Sequence, residues 1–245
     1  MRLDLALVNR GLCDSRERAK RLILAGEVTV NEQRALKASQ TVKETDQVVL
    51  SEPEKYVSRG GYKLESALAR FDLTPKGVEA IDLGASTGGF TDCLLQHGAQ
   101  RVYAVDVGHG QLAWRLRNDQ RVVVMERTNA RYLTPRSFPS GFKGAGMGVA
   151  DCSFISLTKV LPPLTPLLTP GAPIVALIKP QFEAGKKEVD KGKGVIRDEK
   201  IHQAVVAKLK AFVEDMTSVQ WRGVIESPIK GPAGNTEFLA HLEKE

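Results

Sequence analysis

The chain reads as an α/β protein in which a doubly wound sheet follows a small α+β domain. Three observations predict this. From residue 78 onward, apolar strand-like runs (VEAIDLG, RVYAVDV, RVVVME, AGMGVAD and APIVALIK) alternate with helical or loop sequence. The first run passes into a glycine-rich turn, GASTGGF, and such turns face ligands at the carboxyl edge of an open sheet. Residues 1 to 50 follow another pattern, two short helices and then two short strands.

In the first segment, Leu3, Leu5, Ala6 and Leu7 predict a helix closed by Gly11. Asp14 or Ser15 caps a second helix that Gly26 ends. The strands EVTVN and QVVLS follow, joined by a polar connection containing Asn31 and Glu32. On the second helix Arg16, Arg18, Lys20 and Arg21 lie opposite or beside an apolar stripe of Ala19, Leu22 and Ile23, so one face packs while the other can meet phosphates. Basic and acidic residues nearly cancel over the segment, and only this local geometry favours an anionic partner. A small helical cap is the competing reading.

A link is expected over residues 51–60, where Pro53 breaks regular structure and Gly60 and Gly61 loosen the chain. Residues 61–245 then form the larger domain. It begins with a helix whose Leu64, Ala67, Leu68 and Phe71 recur at helical spacing. A helix near 199–214 and strands near 218–225 and 237–242 complete the sheet. The run from Val160 to Ile178 is uncharged, but Pro162, Pro163, Pro166, Pro170 and Pro173 prevent one continuous membrane-spanning helix; it reads as a helix start, a turn and a buried strand.

Composition narrows the partners. Of the net charge of +6, nearly all falls between Arg101 and Lys143, where eight basic residues face Asp106, Asp119 and Glu126, which fits an anionic ligand. Cys13, Cys93 and Cys152 stand far apart without a C-x-x-C pair, and His97, His109, His202 and His241 lack ligand spacing, so no metal is expected. The first residues build no signal peptide, and a reducing cytoplasm fits best.

The turn at Gly84, Gly88 and Gly89 satisfies neither G-x-G-x-x-G nor the phosphate-loop pattern. Asp106 ends the next strand, where a carboxylate can accept hydrogen bonds from ribose hydroxyls. Asp151 and Lys179 also end strands, with Pro180 holding Lys179 extended; Lys63 lies on the helix before the turn, and Glu237 starts the last strand.

The order RLDLALVNRGLCDSRERAKRLILAGEVTVN resembles the S4-type RNA-binding domain. The glycine turn with Asp106 resembles S-adenosylmethionine-dependent methyltransferases of Rossmann-like fold. Lys63, Asp151, Lys179 and Glu237 match the Lys-Asp-Lys-Glu tetrad of FtsJ-type ribose 2′-O-methyltransferases. With SRGGYKL, DCSFISL, IKPQFEAG and GPAGNTEF added, the whole chain resembles the TlyA family of rRNA 2′-O-methyltransferases, also labelled hemolysin-like.

That resemblance implies S-adenosyl-L-methionine as cofactor, held by Asp82, Gly84, Ala85, Ser86, Thr87, Gly88, Gly89, Phe90, Asp106, Asn129 and Asp151. Asp106 would meet the ribose, and Asn129 the adenine unless it merely caps a turn. Lys63, Asp151, Lys179 and Glu237 would be catalytic. Lys179 would serve as base if burial and Lys63 favour its neutral form, or as a cation steadying a developing alkoxide, with the acids orienting both ammonium groups. The partner would be ribosomal RNA or ribosomal subunits, modified at cytidine and contacted by Arg16, Arg18, Lys20, Arg21 and Arg59. The segment from Phe182 to Val195, with Lys186, Lys187, Lys191 and Lys193, would close over RNA or stay a solvated loop. Thr87 departs from FtsJ itself, which has proline there. A non-catalytic ribosome-assembly factor and a membrane-active hemolysin are the alternatives.

Overall fold

The N-terminal helix α1 (Leu3–Asn9) packs on α2 (Arg16–Ala25), which the Ser15 hydroxyl opens by accepting from the Arg18 amide and Gly26 closes in the left-handed conformation at φ 75°. A three-stranded antiparallel sheet follows, with β1 (Val28–Val30) between β2 (Gln33–Arg34) and β3 (Val48–Leu50). The strand β2 is an addition to the sequence reading. Two exposed residues have no periodicity to detect, and it pairs only because Asn31 and Glu32 adopt positive φ and turn the chain. Leu3, Leu7, Ala19, Ile23 and Val28 form the core of this unit.

The structure is a computed structural model describing residues 1–50, 54–185, 189–190, 192 and 194–245. Pro53 and the lysines at 186, 187, 191 and 193 lie outside those residues. The chain divides into two compact units, Met1–Lys55 and Tyr56–Glu245. Tyr56 to Gly60 therefore pack with the larger unit. Tyr56 is buried, and the Val57 amide donates to Asp92 at 2.8 Å.

In the larger unit α3 (Gly60–Arg70) precedes β4 (Glu79–Leu83) and α4 (Gly89–Gln96). The chain continues through β5 (Arg101–Val105), α5 (Trp114–Arg117), β6 (Val122–Met125) and β7 (Met147–Ala150). After α6 (Leu161–Leu164) come β8 (Pro173–Ile178), α7 (Pro180–Glu183), α8 (Glu199–Asp215), β9 (Val219–Glu226) and β10 (Phe238–Lys244). The proline-rich run forms α6 between two short 3-10 turns before β8, as its prolines dictate.

The seven strands are ordered β6-β5-β4-β7-β8-β10-β9, with the first five parallel and β10 antiparallel to both neighbours. Two consequences place the site. The order reverses at β4, which has β5 on one side and β7 on the other, so a crevice opens beyond its carboxyl end. Because β10 runs backwards, its first residue, Phe238, pairs with Ile178 at the end of β8, and Glu237 reaches the same edge as Lys179. Central strands β7 and β8 are nearly all apolar and buried, the pattern of strands covered on both faces.

Candidate active site

The turn after β4 is closed by backbone bonds: the Gly84 and Ala85 amides donate to the Val105 carbonyl, and the Gly88 amide donates to the Ala85 carbonyl at 2.7 Å. Thr87 is exposed, and its carbonyl accepts from the Ala113 amide, so the turn is braced without proline. The glycines make room for the protein itself. A Cβ on Gly84, at φ 80°, would lie 2.7 Å from the Asp151 carbonyl oxygen, and one on Gly89 would lie 2.9 Å from the Gly61 nitrogen. Ala85 and Phe90 point into the core.

Beneath the turn Asp82 is fully buried. Its Oδ2 accepts from the Thr91 hydroxyl at 2.6 Å, while its Oδ1 has no hydrogen-bond partner. Burial pushes its carboxyl up to about 7, against the Thr91 bond and with the negative charges of Asp151 and Asp106 adding to the rise. Above it, Asp106 is pinned by two amides, Ser86 to Oδ2 at 2.8 Å and Gly108 to Oδ1 at 2.7 Å. Each oxygen keeps a second lone pair for a ligand. Glu126 fixes the far side of that loop by accepting from the Gly110 amide at 2.8 Å and from Arg117, which holds its carboxyl down at about 2.

Two cavities meet at this turn. One, of about 360 Å³, is lined by Asp106, Gln111, Thr128, Asn129, Phe154 and Ile155 among others. Asn129 caps a 3-10 turn, its Oδ1 accepting from the Arg131 amide, and the residue also lines the cavity. The second cavity, of about 240 Å³, is lined by Ser58, Arg59, Lys63, Thr87, Lys179 and Pro232 among others. Gly84, Ser86, Asp151 and Ser153 line both.

Lys63, Asp151 and Lys179 bring charge to the second cavity from three distant segments, and Glu237 from a fourth pairs with Lys63. Lys63 Nζ donates to Glu237 Oε2 at 2.5 Å, both side chains being buried. Lys179 Nζ lies 2.5 Å from Asp151 Oδ1 and donates to the Ser153 hydroxyl at 2.9 Å. Each ammonium thus has its own carboxylate. The arrangement lines a small cavity with two lysines, each on its own acid, and offers, across Gly84 and Ser86, a carboxylate suited to a diol.

Ser153 and Phe154 were not singled out as site residues by the sequence. An isolated serine carries no pattern. Phe154 is 89% exposed at φ 62° and its ring lies 4.9 Å from that of Phe182; DCSFISL is the only trace of it in the sequence.

In the N-terminal unit the basic face of α2 is largely paired. Arg16 joins Arg2 on the buried Asp4, Arg18 meets Asp14 at 2.6 Å, and Lys20 meets Glu17 at 2.9 Å. The hydrogen bond from Arg2, with help from Arg16, holds the Asp4 carboxyl well below the usual range. Among the described residues Arg21 and Arg59 have no ion pair.

Among known families, residues 56–244 match the FtsJ-like methyltransferases and residues 1–48 match the S4 domain. The chain belongs to the FtsJ-like methyltransferase family. It is 45% identical to the 16S/23S rRNA (cytidine-2′-O)-methyltransferase TlyA of Mycobacterium tuberculosis, across all of this chain and 90% of that one. It is 43% identical to hemolysin A of Brachyspira hyodysenteriae over 99% of both. A solved structure from Streptococcus thermophilus, described provisionally as a hemolysin, is 46% identical with a TM-score of 0.76, covering 100% of this chain and 88% of its own. The FtsJ-like domain thus follows an S4 domain. Among the described residues no helix is long and apolar enough to cross a membrane, and no group of three or more His, Cys, Asp or Glu gathers as for a metal.

Proposed function

We propose that the chain transfers a methyl group from S-adenosyl-L-methionine to a ribose 2′-hydroxyl of ribosomal RNA, at cytidine in one or both subunits. The observation that carries this is the shared wall of Gly84, Ser86, Asp151 and Ser153, with a carboxylate pocket on one side and the paired lysines on the other. The larger cavity fits the cofactor. Its volume of about 360 Å³ lies in the range of small-ligand sites, Asp106 has lone pairs free for a ribose diol, and Asn129 on the lining would meet the adenine. Gly84 to Phe90 and Asp151 would hold the remainder, and Asp82 supports the turn from beneath.

The bound cofactor supplies an electrophilic methyl carbon. Everything else falls to the chain. The acceptor hydroxyl enters the smaller cavity, where Lys179 Nζ meets its oxygen and either takes the proton or holds its charge steady. Asp151 aims that ammonium, and Glu237 holds Lys63 on the lining of the same cavity. Both pairs are largely buried, so their fields act on the attacking oxygen with little screening by water. Holding oxygen and methyl in line supplies much of the acceleration.

Arg16, Arg18, Lys20 and Arg21 would deliver RNA, Arg18 and Lys20 by exchanging exposed acid partners for phosphates and Arg21 directly, and Arg59 borders the acceptor cavity. An rRNA acceptor places the reaction in the cytoplasm. The test is incubation with methyl-labelled cofactor and ribosomal subunits lacking the modification, followed by nucleoside analysis. Label on 2′-O-methylcytidine supports the reading; saturated binding of both substrates without ribose label contradicts it.

A further inference from the structure

The Lys179 ammonium touches a hydroxyl that the tetrad does not include. Ser153 Oγ accepts from Nζ at 2.9 Å, shorter than the 3.5 Å to the Asp151 carbonyl and second only to the 2.5 Å contact with Asp151 Oδ1. Ser153 also stands on the wall between the two cavities, where donor and acceptor must meet.

Its position is fixed from the Lys179 side. Three residues along the loop, the Ser156 hydroxyl donates to Glu183 Oε2 at 2.6 Å and the Leu157 amide donates to Glu183 Oε1 at 2.7 Å. Glu183 ends α7, the turn of helix that Lys179 caps. One short segment, 179–183, therefore presents the lysine and clamps the loop that carries Ser153, while Phe154 at φ 62° bends that loop between the two fixed points.

An ammonium has three N–H donors. With Asp151 as the sole partner, Nζ is free to rotate about its terminal bond. A second acceptor on a different residue restricts that rotation while Lys179 still lines the acceptor cavity. A hydroxyl does this without adding another negative charge, which would hold the ammonium away from the acceptor oxygen. We infer that Ser153 is a positioning residue for Lys179, setting the direction in which Nζ addresses the acceptor oxygen.

This rests on the proposed function. Its test is single-turnover methyl transfer by wild type, Ser153→Ala and Ser153→Thr at saturating rRNA, with cofactor and RNA dissociation constants and melting temperature measured in parallel. Ser153→Ala should slow transfer about tenfold, leave both dissociation constants within twofold and leave melting unchanged, while Ser153→Thr, which restores the hydroxyl, should recover most of the rate. An alanine variant with the wild-type rate overturns the inference, as does a threonine variant as slow as alanine. A loss of rate matched by weakened cofactor binding also overturns it, because Ser153 would then be part of the cofactor wall. If the wild type itself transfers no methyl, the functional reading falls and this inference with it.

Discussion

The basic helix of the N-terminal unit and the candidate site of the larger unit both hold basic side chains beside acids, yet the two sets of pairs differ in what surrounds them. Arg18 and Lys20 have side chains 56% and 41% exposed, with partners more exposed still, whereas Lys63 and Glu237 are 9% and 1% exposed. An exposed pair is screened, and water replaces either partner at little cost. Such a pair can exchange its carboxylate for a phosphate. A buried pair has no such freedom, since removing one member strands the other in a poor solvent. The first arrangement suits recognition of a polyanion, and the second suits chemistry that requires a charge at a fixed point. Arg16 belongs between them: it lies on the basic helix, but its partner Asp4 is fully buried.

This contrast can be broken at several places. The largest effect is expected at Lys179, where Lys179→Ala should lower single-turnover methyl transfer by about a thousandfold or more while cofactor binding stays within about threefold. Next comes the buried pair. Glu237→Ala leaves Lys63 without a partner and should cost about 3–5 kcal/mol in chemical denaturation, whereas the double change of Lys63→Met with Glu237→Leu should regain most of that stability without regaining activity. A similar loss from the single and double changes would show that Lys63 gains nothing from its carboxylate.

A smaller effect is expected from pH. Burial raises the Asp82 carboxyl from near 4 to about 7, so its protonated form favours the folded state. That contribution is complete below about 4 and is lost as pH rises through about 7. Asp82→Asn should therefore flatten the melting temperature between pH 5 and 8, with its gain largest at pH 8. Asp4 has the opposite sign, since its depressed carboxyl supports folding above the unfolded value and loses that support in acid. Wild-type-like pH dependence in Asp82→Asn would contradict the assignment. The smallest change is Arg21→Ala, which should weaken RNA binding a few-fold and reduce the slope of log affinity against log salt by about 1, with cofactor affinity and melting unaltered.

What the sequence disclosed follows the same division between local and distant. The glycine turn, the strands ending in Asp106, Asp151 and Lys179, and the Ser15 and Gly26 caps are written in a few adjacent residues, and the structure has them where the pattern put them. The Lys63–Glu237 pair spans 174 positions and depends on β10 running backwards beside β8, which no local periodicity encodes; only the resemblance brought those residues together beforehand. Three features gave no signal. The two-residue β2 is too short for a period, the pairing of Arg16 with Asp4 crosses from one helix to another, and Ser153 is a single hydroxyl in a loop. The glycines were legible as a turn but not in their reason, which at Gly84 is the backbone of Asp151.

The central claim is that the two cavities on either side of Gly84 and Ser86 hold a methyl donor and a ribose. The most direct measurement is the position of labelled methyl groups in rRNA, by digestion and nucleoside mapping, after single-turnover reaction of wild type and Lys179→Ala with unmodified ribosomal subunits. The account predicts label on the 2′-oxygen of cytidine with the wild type and none above background with the variant. Label on a base, or equal ribose label with both proteins, would contradict it.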